Sequence, residues 1–177
     1  HTECVGHLTD ERVSVSEAVR GGLCLALLVS VRPTSAAATS ESTDPAPEPG
    51  DRLITAADLA SAAAGHRELT PRALVVRTLP NGVERMSRSY AGPAPAPYLT
   101  REAAAWLVGR GVEHLVLDVP SADRASDGGR LTAHRTFFGL PPGSHRAHDA
   151  TRPLASITEL AYIAPTIRDG WYLLNLQ

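Results

Sequence analysis

Residues 100–119, TREAAAWLVGRGVEHLVLDV, hold a helix and a strand end to end, and that pairing decides the fold class. Thr100 is placed to cap the helix, and Glu102 lies in the first turn, where the positive end of the helix dipole favours a carboxylate. Ala104, Leu107 and Val108 keep helical spacing, with Trp106 expected at the edge of the same apolar face. Gly111 stops the helix, and residues 113–119 follow as a strand. The order recurs upstream. Thr55, with Asp58 three residues on, forms a capping box for a helix over residues 55–64 that Gly65 ends, and residues 73–79 (ALVVRTL) are the next strand. Helix then strand, twice, means an α/β domain. Residues 23–31 (LCLALLVSV) add a continuous apolar run, the pattern of a strand buried on both faces, with Cys24 packed there as a small apolar side chain.

Between these elements the chain is polar or irregular. Residues 8–22 hold at most a short helix over 14–20. Residues 33–50 carry no large apolar side chain and read as a mobile surface loop, and residues 80–97, with Asn81-Gly82 and Ala/Pro alternations, as a second long loop. Residues 131–138 read as a short helix, 141–153 as a loop insertion, 154–163 as a strand interrupted by Glu159, and 171–177 as a terminal strand. A carboxylate in the apolar setting of Glu159 needs a partner, either a metal or an arginine.

Composition narrows the function classes. At 177 residues and 43% apolar, the chain suits one domain, 1–177, with a sizeable core. A net charge of −2 gives no electrostatic case for nucleic acid or an anionic membrane, and no apolar run reaches the ~18 residues of a spanning helix. All 17 basic residues are Arg, as in a GC-rich bacterial coding sequence, so there is no Schiff-base or P-loop lysine. Two cysteines, Cys4 and Cys24, are too few for a disulfide framework and fit a reducing cytoplasm. A first residue other than Met and a final strand with no exit suggest that the sequence is part of a longer chain at both ends.

The chemistry concentrates in the first seven residues, His1-Thr2-Glu3-Cys4-Val5-Gly6-His7. On a strand, His1 and Glu3 share a face about 6.6 Å apart at the backbone, a gap that a shared cation closes with bonds of about 2 Å. Cys4 falls on the opposite face by parity, packed rather than ligating. His7 joins the pair only if the strand turns, for which Gly6 offers backbone freedom. On spacing alone, a frayed polar terminus is an equally open reading.

The same seven residues resemble the second half of the signature of the putative cyclase family of metal-dependent hydrolases, which includes kynurenine formamidase and isatin hydrolase. That signature runs His-x-Gly-Thr-His-x-Asp-x-Pro-x-His. His1 matches the His after Gly-Thr, Glu3 takes the Asp position and His7 is the closing His. Leu117-Asp118-Val119-Pro120-Ser121-Ala122-Asp123 is similar to the family's Asp-x-Pro-Ser-x-Asp strand end, and His134 and Glu159 resemble its downstream ligands. Glu3 departs by one methylene, Cys4 and Val5 replace a small residue and Pro, and the family's first His would lie upstream of His1.

The resemblance implies a swivelling β/β/α fold and a metal-dependent hydrolase that cleaves a C–N amide bond in an aryl formamide or a cyclic amide or imide. It implies His1, Glu3, His134 and Glu159 as ligands of Zn²⁺ or Mn²⁺, with Glu3 able to bridge a binuclear centre, and His7 as general base and acid. Arg77, Asp118 and Ser121 are the candidate substrate-binding residues, and a homodimer or higher homo-oligomer is expected. The expected partner is a small amide, not nucleic acid or membrane. The competing expectations are a family member that binds metal or ligand without catalysis, and a plain α/β interaction domain.

Overall fold

Apolar runs without charge become the centre of a sheet, because each must be covered on both faces. A computed structural model describes residues 1–19, 22–66, 68–90 and 95–176. Its strands are β1 (Thr2–Glu3), β2 (Leu23–Val31), β3 (Thr34–Ser35), β4 (Arg52–Ile54), β5 (Ala73–Thr78), β6 (Tyr98–Leu99), β7 (His114–Leu117), β8 (Ser156–Thr158) and β9 (Gly170–Asn175). The α-helices are α1 (Val15–Ala18), α2 (Ala56–Ala62), α3 (Arg101–Gly109) and α4 (Thr132–Phe138). Six strands form one sheet in the order β1-β8-β7-β5-β2-β9, and β3-β4-β6 form a second, smaller one. The four inner strands of the large sheet are parallel, while β1 and β9 close its ends antiparallel.

One row of partnered residues positions the site. Across the sheet it runs Trp171, Leu27, Leu74, Leu115, Ile157 and finally Glu3. Partnered residues share a face, so Glu3 points to the side on which the four aliphatic residues are buried. That side carries the main core, where Leu59 of α2, Ala103, Ala104 and Leu107 of α3, and Ala133, Phe137 and Phe138 of α4 pack. A row of aliphatic side chains therefore ends in a buried carboxylate.

The helix ends follow their sequence signals. Thr55 and Asp58 form both bonds of the capping box, and Thr100 accepts the Ala103 N–H. The α2 helix closes at Ala62, short of Gly65, whereas Gly111 adopts φ +72° just past α3. The 33–50 segment makes polar contacts to the ends of two helices. It enters the small sheet through β3, the Glu41 carboxylate accepts the Ala56 and Ala57 N–H groups and the Thr100 hydroxyl, and Ser42 binds Glu102. A composition that cannot build a core is here fixed by polar contacts to helix ends. Within 80–97, Val83–Ser87 forms a 3₁₀ turn, and residues 91–94 lie outside the described residues. The 14–20 helix reduces to α1, capped by Ser14, with Arg20 outside the described residues. The expected 154–163 strand is only β8, because Glu159 leaves the sheet for the site and Leu160 takes φ +55°. Among the described residues, no helix is long and apolar enough to cross a membrane.

Candidate metal centre

Edge strand β1, the 3₁₀ turn Val5–His7, helix α4 and the residue after β8 converge on one point. His1 Nε2 lies 3.4 Å from Glu3 Oε2 and 3.5 Å from Glu159 Oε2. His7 Nδ1 lies 3.4 Å from the same Glu3 oxygen. His134 Nε2 lies 2.5 Å from Glu3 Oε1 and 3.3 Å from Glu159 Oε1. Glu3, His134 and Glu159 are buried, whereas His1 and His7 are exposed on the solvent side. The five residues singled out in the sequence as ligands and base thus meet in space.

The turn that returns His7 to Glu3 uses glycine for closeness. A Cβ on Gly6 would stand 2.5 Å from the Val13 carbonyl oxygen, and its backbone needs no positive φ. Cys4 is buried, and its thiol donates to that same carbonyl at 3.4 Å, away from the cluster.

Asp123 sets the direction of His134. Its carboxylate accepts the Ala133 and His134 N–H groups at 2.7 and 3.0 Å, capping α4 from outside, and meets His134 Nδ1 at 2.6 Å. A carboxylate on Nδ1 fixes the proton there and leaves the Nε2 lone pair facing Glu3 and Glu159. Burial alone would disfavour an imidazolium, yet the Asp123, Glu159 and Glu3 carboxylates outweigh it and hold His134 well above the ordinary histidine range. The surrounding carboxylates therefore favour a cation at Nε2, either a proton or, on the free lone pair, a metal ion.

The described residues fit a metal ion. Glu3 Oε1 and His134 Nε2 are buried atoms with no hydrogen-bond partner, although they face each other, because their approach lacks hydrogen-bond geometry. Two triads, Glu3-His7-His134 and His1-Glu3-Glu159, have ligand atoms within 4.8 Å of one another, and Glu3 belongs to both. Imidazole and carboxylate donors without thiolate suit Zn²⁺ or Mn²⁺.

The candidate substrate residues are not part of the cluster itself. Arg77 is buried on β5, separated from β1 by β7 and β8, and its guanidinium is engaged by Asp169 at 2.7 Å, Ser30 and the Ala164 and Ile167 carbonyls. Asp118 binds Arg85 at 2.8 Å and the Thr78 N–H and hydroxyl. It lines a cavity of ≈190 Å³ with Tyr90, Leu160 and Tyr162. The Ser121 hydroxyl accepts the Asp123 N–H, and Ser121 lines a second ≈190 Å³ cavity that also includes Tyr90. The next residue, Ala122, donates its N–H to Glu159 at 2.7 Å. In sequence Asp123 stands at a strand end, where ligand sites and caps both occur, and ends a family-like stretch; no periodicity marks a carboxylate eleven residues before its histidine.

A family model described as Putative cyclase matches residues 1–124. A solved structure described as a potential metal-dependent hydrolase with cyclase activity is similar at 13% identity and TM-score 0.57, over 97% of this chain and 65% of that one. A predicted metal-dependent hydrolase from Bacillus stearothermophilus is similar at 14% identity and TM-score 0.52, over 97% and 63%. Isatin hydrolase A from Labrenzia aggregata, bound to benzyl benzoate, is similar at 15% identity and TM-score 0.55, over 96% and 61%. At these identities the likeness is one of fold, and the chain spans less than two thirds of the length of each neighbour. A search of curated proteins finds no match.

Proposed function

The chain belongs to the cyclase family, and on that premise we propose that it is a metal-dependent amidohydrolase acting on an aryl formamide or a cyclic amide or imide. One observation carries the reading. Three buried groups, Glu3, Glu159 and a His134 whose lone pair is aimed by Asp123, face one another without hydrogen-bond geometry between Glu3 and His134, and a cation resolves that. His1, Glu3, His134 and Glu159 are the proposed ligands. Bound zinc or manganese would supply Lewis acidity towards the amide carbonyl and acidify water at the site. Glu3 presents one oxygen to His134 and the other to His1 and His7, so it would be the residue shared by the two ligand triads if two ions were held.

His7 is the proposed general base. It is exposed, with Nδ1 3.4 Å from Glu3 Oε2, and takes the proton of the attacking water before returning it to the leaving nitrogen. Asp123 keeps His134 in its ligating tautomer. Asp118 and Ser121 are proposed to face substrate from the two cavities that share Tyr90. Free, buried Cys4 and Cys24 favour a reducing cytoplasm, and a homodimer is part of the proposal.

Elemental analysis paired with an N-formyl aromatic amide turnover assay on the same sample tests this. One or two equivalents of zinc or manganese with turnover support hydrolysis of the class proposed. Metal without turnover of formamides or lactams favours a family member that holds metal without catalysis, and no metal under non-chelating conditions removes the site.

A further inference from the structure

A cavity of ≈600 Å³ opens between the start of α3, helix α4 and the 139–145 loop, away from the cluster of Glu3 and its partners. Its charges are unbalanced. Arg101, Arg130 and Arg135 line it against a single carboxylate, Asp44, in a chain whose net charge is −2. Arg101 and Arg130 are exposed, and among the described residues the Asp44 carboxylate pairs with Arg130 alone, at 3.4 Å.

Arg135 is the anomaly. Among the described residues, two arginines are buried as whole residues, Arg77 and Arg135. Arg77 meets Asp169 at 2.7 Å. Among the described residues Arg135 meets no carboxylate; its Nη1 donates to the Pro141 and Ser144 carbonyls at 3.2 and 2.8 Å. These bonds hold the guanidinium rigidly and leave its charge without a counter-ion, which is costly in a buried place. Consecutive helical side chains diverge by about 100°, so Arg135 faces this cavity while His134 faces the metal cluster.

We propose that this cleft is a second binding site, for a small organic anion whose carboxylate or phosphate head is the missing counter-charge of Arg135. A planar guanidinium fixed in orientation suits either head, through paired N–H donors. Arg101 and Arg130 complete the positive rim. Leu140, Pro141 and Pro142 give the body of the ligand an apolar wall, and the volume accommodates a ligand of ordinary metabolite size.

The test is calorimetric titration of the metal-loaded chain with sodium benzoate and, separately, inorganic phosphate. The benzoate and phosphate arms tell which head the cleft prefers. Expected are saturable one-to-one binding that weakens with added NaCl, a loss of at least tenfold in affinity in the Arg101→Ala/Arg130→Ala double variant, and no change in Glu3→Gln. Both arginines are exposed, so the double variant keeps its fold. No saturable binding of either anion would overturn the proposal. So would binding that survives the double variant and vanishes in Glu3→Gln, since the anion would then sit at the metal cluster.

Discussion

Replacing Asp123 with Asn separates a ligand-orienting role from a helix cap. Asp123 accepts three bonds with two oxygens, the Ala133 N–H on one and the His134 N–H and Nδ1 on the other. Asparagine keeps one acceptor. Its cheaper placement puts the amide oxygen on the two His134 groups and turns its NH₂ towards the Ala133 N–H, so one buried donor is lost, about 1–3 kcal/mol of stability. The bond to Nδ1 survives but loses its charge assistance, about half its strength. Weakening the partner that orients a metal-binding histidine costs about 10–100-fold in metal affinity, roughly 1.4–2.8 kcal/mol at ~1.4 kcal/mol per tenfold. The assay is competition for zinc against a chelator of known affinity, with thermal unfolding of the metal-free protein in parallel. Both quantities should fall. A variant of lowered Tm that binds zinc within threefold of the original chain would refute the orienting role and leave Asp123 a cap of α4.

Other predictions address different parts of the site. His7→Ala should retain metal and lose most turnover, whereas His134→Ala should lose metal; equal metal loss in both would make His7 a ligand, and full activity in His7→Ala would remove it from the mechanism. Gly6→Ala drives a Cβ to 2.5 Å from a backbone carbonyl that cannot step aside, so a loss of about 1–3 kcal/mol is expected. At roughly 2–4 °C per kcal/mol for a domain of this size, thermal unfolding should show it, and an unchanged Tm would mean that the turn shifts freely. A pH series tests the charge drawn onto His134. In the metal-free chain its pKa is raised, so the stabilisation is complete below the ordinary value of 6.5 and is lost as pH rises through the folded value. A cation takes the place of that proton, so the Tm difference between metal-loaded and metal-free protein should widen as pH rises above 6.5. Parallel pH profiles for the two forms would count against it.

The sheet was legible because its strands are written in apolar side chains. Residues 23–31 emerge as β2 without a shift, and the capping chemistry of Thr55 and Thr100 placed two helices within a residue or two. The contacts of the 33–50 loop were not legible, because composition reports what cannot form a core, not which hydrogen bonds form, and Glu41 spends its carboxylate on α2 and Thr100. The cluster of His1, Glu3, His7, His134 and Glu159 was legible as a set of residues through likeness to a family, and strand parity put His1 beside Glu3, where they lie 3.4 Å apart. Arg77 illustrates the limit. A charged residue in an apolar strand announces that it needs a partner, yet the sequence does not say that Asp169, 92 residues on, is that partner. Arg135 leaves the same signal, and among the described residues two backbone carbonyls but no carboxylate answer it.

The β1 strand joins the sheet through only two residue pairs, Thr2 with Thr158 and Glu3 with Ile157. Three of the five clustered side chains, His1, Glu3 and His7, ride on that strand and the turn after it. Peeling seven residues from the sheet therefore disassembles more than half of the cage in one motion, whereas Glu159 and His134 stay behind on β8 and α4. Ion exchange would then be paced by backbone fraying rather than by stepwise ligand dissociation. Amide hydrogen exchange at Glu3, whose partner strand is the last interior one on that side, and the off-rate of the ion would share one opening equilibrium. The bound ion would act as a clasp on the margin of the sheet, so that the most loosely sewn strand becomes its best fastened once loaded.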